Sequence, residues 1–317
     1  MNRPAWLESD LRRIEQQMIE AAGGSRHPLV SEPSIHLLNA GGKRLRPALV
    51  VISSRVGKGA RVGVDLAAAA IELVHLATLY HDDVMDGTQV RRGVPTAHAK
   101  WGTDIAVLAG DFLFARACGL GAQAGGEVPG ILARAIAEVC EGQIVETGGL
   151  GDPRRTLDDY LDTIRLKTAA LFKASCELGA ATSEASAEER RALVSYGENV
   201  GIAFQVVDDL LDIVGDPGAT GKVPGTDLHK GVFTAPVLVA ADRSSDLRER
   251  LDEGRWELGE ALPLLQETGA IAEVLKLAGT FAGRALEALH ALPEGEPRAL
   301  LRATVDGILK QVERPAA

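Results

Sequence analysis

Apolar residues recur at helical spacing from one end of the chain to the other, and no stretch alternates convincingly between apolar and polar as a half-buried strand would. Breakers divide the pattern at Gly23-Gly24, Gly41-Gly42, Gly57-Lys58-Gly59, Gly125-Gly126, Gly148-Gly149-Leu150-Gly151-Asp152-Pro153 and Asp216-Pro217-Gly218. Between them the spacing predicts about a dozen helices of roughly 10 to 25 residues. The opening run, with Asp10-Leu11-Arg12-Arg13-Ile14-Glu15, reads as an amphipathic helix and not as a signal peptide. Ser186 followed by Glu189 predicts a capping box at the start of a later helix. No linker is long or polar enough to mark a domain boundary. The expectation is therefore an all-α chain forming one domain over residues 1–317.

Two of the predicted helices are apolar until they reach an acidic cluster. Leu73 to Tyr80 leads into His81-Asp82-Asp83-Val84-Met85-Asp86, and Ile202 to Val207 leads into Asp208-Asp209-Leu210-Leu211-Asp212. Each cluster has carboxylates at its first, second and fifth aspartate-counted positions, so Asp82 shares a helix face with Asp86, and Asp208 with Asp212. Like charges at that spacing repel. Crowded carboxylate oxygens suit a hard cation such as Mg²⁺, which keeps several waters and binds protein carboxylates together with substrate phosphates. Either triplet alone is compatible with a solvated acidic face. Two buried-looking helices making the same exception favour metal ligation, because unpartnered buried carboxylates are costly.

Composition narrows the setting. Hydrophobic residues make up 46% and aromatics 4%, with alanine and leucine abundant, which favours helices over strands. A net charge of −10 argues against a nucleic-acid partner but not against a small phosphate-bearing substrate. The three cysteines, Cys118, Cys140 and Cys176, are widely spaced and suit buried small apolar residues in a reducing cytoplasm. The longest apolar stretch, Leu66 to Tyr80, carries Glu72 and His75, so no transmembrane segment is expected. Cations gather near helix ends: Gly41-Gly42-Lys43-Arg44-Leu45-Arg46-Pro47, Arg91-Arg92-Gly93, Lys167-Thr168, Gly221-Lys222 and His229-Lys230. The first segment suits a phosphate held by backbone N–H groups and side chains, and is equally compatible with a solvated turn. Paired arginines close behind an acidic cluster suit a metal–diphosphate clamp.

Taken in order, G-G-K-R-L-R-P, E-L-V-H-L-A-T-L-Y-H-D-D-V-M-D, R-R-G, G-D-F-L, K-T, F-Q-x-x-D-D-L-L-D and a late G-K resemble the trans-isoprenyl diphosphate synthases, or polyprenyl synthetases, from about residue 28 to at least residue 240. The resemblance implies the isoprenoid synthase fold, a helical bundle around a central cavity, usually a homodimer, with three Mg²⁺ ions. Asp82, Asp83, Asp86, Asp208, Asp209 and Asp212 would hold the metal against an allylic diphosphate. Arg91, Lys167 and Lys222 would contact that diphosphate, while Lys43, Arg46, His75 and Arg92 would bind isopentenyl diphosphate. Thr168 and Gln205 would face the developing carbocation beside Lys167. The family often has a lysine directly after the late glycine, whereas here Val232 follows Gly231 and Lys230 precedes it, so the substrate contact is carried over to Lys230.

Three rival readings compete with this one. The His81-Asp82 doublet occurs in all-helical metal-dependent phosphohydrolases, but the other histidines show no matching spacing, and a hydrogen-bonded interior histidine explains His81 equally well. A terpene cyclase usually alters the second acidic motif, and a non-catalytic partner subunit loses such motifs, whereas this chain keeps both. Product length is the least legible property. Thr78 and Ala77, four and five residues before Asp82, with Val74 a turn further back, would line the hydrocarbon channel and place no bulky stopper there. Burying each added five-carbon unit gains about 4 kcal/mol at about 0.8 kcal/mol per CH₂. The expectation is a medium-to-long product of about C30–C40, with C20 as the alternative. Phe112 or Phe114 would be a channel floor or plain core residues.

Overall fold

The computed structural model describes residues 3–57, 63–215, 224–254 and 257–313. The helices are α1 (Ala5–Gly23), α2 (Pro28–Asn39), α3 (Leu45–Ser53), α4 (Val64–Met85), α5 (Ala97–Trp101), α6 (Thr103–Ala124), α7 (Val128–Gly148), α8 (Leu157–Ile164), α9 (Ala170–Ala181) and α10 (Ala187–Val214). They continue with α11 (Thr226–His229), α12 (Ala235–Ala241), α13 (Ser245–Asp252), α14 (Leu258–Glu267), α15 (Ala270–Ala288) and α16 (Glu296–Glu313). A π turn, Arg165–Ala169, joins α8 to α9. The predicted capping box is present: Glu189 N donates to Ser186 Oγ at 3.2 Å, and Ser186 N donates to Glu189 Oε2 at 2.7 Å.

Cys176 is buried as expected, whereas Cys118 and Cys140 are exposed on α6 and α7. The strand-free expectation also needs correction. Val90–Arg91 pairs antiparallel with Val94–Pro95 as β1 and β2. Arg92 and Gly93, the two loop residues, have φ of 53° and 77°. Two positive φ values match the twist of a two-residue hairpin, and glycine supplies the second without steric cost. Such a short hairpin has no room for the alternation that marks a strand in sequence.

Helix α4 is apolar on every side because it runs through the centre, packing against α1, α3, α6 and α9. Ala67 to Ile71, Leu73, Val74, Leu76 and Ala77 are all fully buried. Small side chains let its neighbours approach closely. α4 and α6 are each long and apolar enough to cross a membrane, a length the interrupted stretch from Leu66 to Tyr80 did not suggest. The apolar window of α4 is mostly enclosed by other helices, which is how a core helix meets the same criterion. The second long axis is α10, packed against α9, α15, α16 and the π turn. Helix α9 thus touches both α4 and α10, whose C-terminal ends carry the acidic clusters.

The Gly41-Gly42-Lys43-Arg44 segment is fixed by a buried ion cluster. Arg44 caps α3 in a left-handed conformation with φ 47°. Its guanidinium donates to Glu15 Oε1 at 2.8 Å, to the Leu38 carbonyl at 2.9 Å and to Glu72 Oε1 at 3.4 Å. Arg44 and Glu72 are 7% and 2% exposed, so neither charge can be left to water. Removing one partner of a buried pair typically costs about 3–5 kcal/mol. Glu72→Ala is expected near the low end, because Glu15 still holds Arg44. The check is the urea midpoint of unfolding followed by circular dichroism, and an unchanged midpoint would contradict the assignment.

Candidate active site

The first acidic cluster occupies the last turn of α4. Asp83 is 1% exposed and accepts a hydrogen bond from Arg91 Nε at 2.6 Å. Burial raises its pKa, against the pull of Arg91. Its other oxygen, Oδ2, is buried without a hydrogen-bond partner. Burial pushes Asp82 up to about 6, with Lys167 pulling it down and Asp86 and Glu146 pushing it further up. Asp86 is exposed and accepts from Lys230 Nζ at 3.2 Å. That pair brings the segment after the second cluster onto the first. Lys230 therefore reaches the site despite the shifted glycine.

The π turn places Lys167 and Thr168. A wide turn of this kind re-aims consecutive side chains and is common at functional sites. Two glycines let neighbouring helices clamp it. A Cβ at Gly142 of α7 would lie 2.5 Å from the Lys167 backbone nitrogen, and one at Gly201 of α10 would lie 2.6 Å from Ala169 Cα. Lys167 forms an ion pair with Glu146 of α7. Burial lowers its pKa, but the carboxylates of Glu146, Asp82 and Asp86 outweigh that and leave it raised. The next residue points to the other cluster: Thr168 Oγ1 donates to Gln205 Oε1 at 2.8 Å, and Gln205 Nε2 donates to Asp209 Oδ1 at 2.8 Å.

The second cluster is divided by burial. Asp208 is partly exposed, while Asp209 and Asp212 are buried. Burial pushes Asp209 up to about 8; hydrogen bonds from Tyr160 and Gln205 oppose this, and Asp227 and Asp208 add to it. Asp212 accepts from the Asp227 backbone N–H at 3.3 Å through its side chain, and from the Gly225 N–H at 2.7 Å through its carbonyl. It thereby fixes the segment that carries Lys230. Lys222 lies outside the described residues.

Of the groups expected to meet isopentenyl diphosphate, Arg46, His75 and Arg92 cluster together. Arg46, in the first turn of α3, has its guanidinium 5.0 Å from the Phe172 ring centroid. Burial lowers its pKa to about 10, and its Nε is buried with no partner. Burial also drives His75 well below the usual imidazole range, and Arg46, Arg92, Arg91 and Arg44 reinforce the shift. His75 is thus a neutral ring among arginines. Arg92 donates to the carbonyls of Gly41 and Leu37, the latter at 3.1 Å. A Cβ at Gly42 would meet the Arg92 guanidinium at 3.1 Å, which explains the second glycine of the motif. Lys43 is exposed at the rim of this segment.

His81 is bound within the helices: Nε2 lies 3.1 Å from the Val107 carbonyl, and a Cβ at Gly110 would lie only 2.3 Å from that nitrogen. Among the described residues, no three carboxylate, imidazole or thiol groups converge as a ready-made metal cage. The donors offered are all carboxylate oxygens, and the orphaned Asp83 Oδ2 is one of them. Such a set suits a hard divalent cation that arrives with phosphate and water ligands of its own. Sequence reasoning did not find Glu146, Tyr160 or Asp227. Each is a single residue in an ordinary helix, and only the fold brings it to the site.

A family model described as polyprenyl synthetase matches residues 27–255. A nonaprenyl diphosphate synthase from Mycobacterium tuberculosis is 39% identical over 310 residues, covering 95% of this chain and 92% of that protein. A decaprenyl diphosphate synthase structure from Rhodobacter capsulatus superposes with a TM-score of 0.91 at 35% identity, over 97% of this chain and 98% of that one. A polyprenyl synthase from Caulobacter crescentus, solved with calcium and isoprenyl diphosphate, gives a TM-score of 0.89 at 35% identity, over 95% and 94%. This predominantly helical chain, with its two acidic motifs and its arginine cluster, belongs to the polyprenyl synthetase family.

Proposed function

We propose that the chain is an Mg²⁺-dependent prenyltransferase that joins isopentenyl diphosphate to an allylic diphosphate (geranyl, farnesyl or geranylgeranyl), releasing diphosphate and making a medium-to-long trans-polyprenyl diphosphate. The observation that carries this reading is the π turn, from which Lys167, paired with Glu146, acts electrostatically on Asp82 and Asp86 while Thr168 reaches the second cluster through Gln205. Leaving-group and carbocation chemistry need these groups side by side.

In this reading Asp82, Asp83, Asp86, Asp208 and Asp212 offer oxygens to the metal, for which three ions are expected. When bound, the metal neutralises charge developing on the leaving diphosphate. Arg91, Lys167 and Lys230 add positive charge at the same oxygens, which is electrostatic stabilisation aimed at the transition state. Arg46, Arg92 and neutral His75 bind the diphosphate of isopentenyl diphosphate, with Lys43 at the rim. The unpartnered Arg46 Nε supports an anion there, since a buried guanidinium donor is costly to leave unmade. The apolar walls keep water from the cation, and the departing diphosphate takes the proton released after the new bond forms. We take residues 1–317 as one domain. The expected homodimer has a candidate face in the exposed Leu108 of α6 and Ile144 and Val145 of α7.

Asp82→Ala and Asp208→Ala are each expected to lower kcat by at least about 100-fold, equivalent to about 2.7 kcal/mol, while helical circular dichroism is retained. Excess chelator should abolish turnover of the intact protein. The assay is magnesium-dependent incorporation of labelled isopentenyl diphosphate, and activity persisting in chelator would refute the reading.

Product length turns on α4. Ala77 is fully buried, and the Thr78 hydroxyl is donated to the His75 carbonyl at 2.8 Å, so both side chains are small and apolar in effect. Phe114 leans on His81 with ring centroids 5.7 Å apart, and Phe112 lies 5.8 Å from the Arg116 guanidinium. The names nonaprenyl and decaprenyl borne by the relatives, nine and ten five-carbon units, lie beyond the expected C30–C40 range and support a long product. Ala77→Phe is expected to shorten the product by several five-carbon units. Chromatography of dephosphorylated products made from farnesyl diphosphate reads this directly, and an unchanged product would remove α4 from the channel wall.

A further inference from the structure

The structure assigns Tyr160 and Asp209 as positioning residues that set the polarity of the Thr168 hydroxyl through Gln205, in place of metal ligation by Asp209. The inference deepens the prenyltransferase reading and rests on it. Three hydrogen bonds form a chain that converges on Asp209 from both sides. Tyr160 Oη donates to Asp209 Oδ2 at 2.5 Å, Gln205 Nε2 donates to Asp209 Oδ1 at 2.8 Å, and Thr168 Oγ1 donates to Gln205 Oε1 at 2.8 Å. Tyr160 and Asp209 are both 2% exposed, so no bulk solvent competes for the contact between them, while Thr168 and Gln205 are part-buried.

The direction follows from the donor inventory. An amide nitrogen only donates and an amide oxygen only accepts, and Gln205 turns its NH₂ group towards Asp209 Oδ1. That leaves the amide oxygen facing Thr168, and the hydroxyl must spend its only proton on it. The lone pairs of Thr168 Oγ1 are then left as acceptors, beside Lys167 on the π turn. An oxygen held in this way is a fixed dipole with its negative end available to positive charge, which is what an allylic cation requires. Tyr160 holds the far end of the chain. Both Asp209 oxygens are engaged by protein donors, which leaves the neighbouring Asp208 and Asp82 better placed to meet a metal.

The test uses the intact protein with Mg²⁺ and two unreactive analogues of geranyl diphosphate. One carries an ammonium group where the cation would form, and the other is its neutral isostere. Binding of each is measured by calorimetry to wild type, Tyr160→Phe and Asp209→Asn. Wild type is expected to prefer the ammonium analogue, and both variants to lose about tenfold of that preference while binding the neutral analogue within about twofold. Asp209→Asn is the sharper variant. Its NH₂ would face Gln205, reverse that amide, and make the Thr168 hydroxyl accept where it now donates. In turnover, kcat should fall with little change in KM for either substrate. An unchanged preference in both variants overturns the inference. So does an equal loss of both analogues in Asp209→Asn alone, which would mark Asp209 as a metal ligand. If wild type binds neither analogue, the diphosphate site itself is refuted, and this inference with it.

Discussion

Negative charge crowded at the C-terminal ends of two buried helices is the constraint on which the rest of the molecule depends. Asp82 and Asp83 lie in the last turn of α4, Asp86 caps it, and Asp212 lies in the last turn of α10. The helix dipole disfavours anions there, by about 0.3–1 kcal/mol each, and neither last turn carries a basic residue in compensation. Desolvation is the larger cost, several kcal/mol per buried ion. It is visible in Asp82 at about 6 and in Asp209 at about 8. The offsetting groups come from other elements: Arg91 from the hairpin, Lys167 from the π turn, Lys230 from the segment after α10. The irregular parts of an otherwise helical chain are the parts that supply these cations.

Three of the cations assigned to the diphosphate site are held by carboxylates: Arg91 by Asp83, Lys167 by Glu146 and Lys230 by Asp86. A diphosphate entering alone would take the cations and strand the acids, and a divalent metal entering alone would do the reverse. Entering together, each replaces what the other displaces. The coupling is reciprocal by thermodynamic necessity. It suits a reaction in which ionisation before both substrates are seated would expose the cation to water.

Much of this was legible in the sequence because it resides in local pattern. Helical spacing gave the fold class, the capping box at Ser186 fixed the start of α10, and the repeated aspartate spacing marked both helix ends. The two glycines before Lys43 were visible as a motif, but their reasons, a left-handed turn at Gly41 and the Arg92 guanidinium against Gly42, exist only once the hairpin has folded back. The hairpin itself is too short for period-two alternation to register. The π turn has no sequence signature either, since it arises where Gly142 and Gly201 allow two helices to pinch a third. Arg44 stood beside Arg46 in one cationic run, and only burial separates the structural residue, paired with Glu72, from the one with a free donor. Glu146 and Tyr160 were invisible for the same reason: their partners are 21 and 49 residues away in the chain.

The central claim is that acids and cations in the site hold one another until metal and diphosphate arrive together. Calorimetric titration of inorganic diphosphate into the intact protein, with saturating Mg²⁺ and again with chelator, tests it most directly. The account predicts binding at least about 100-fold tighter with the metal, a coupling of about 2.7 kcal/mol. Equal affinity in the two titrations would contradict it.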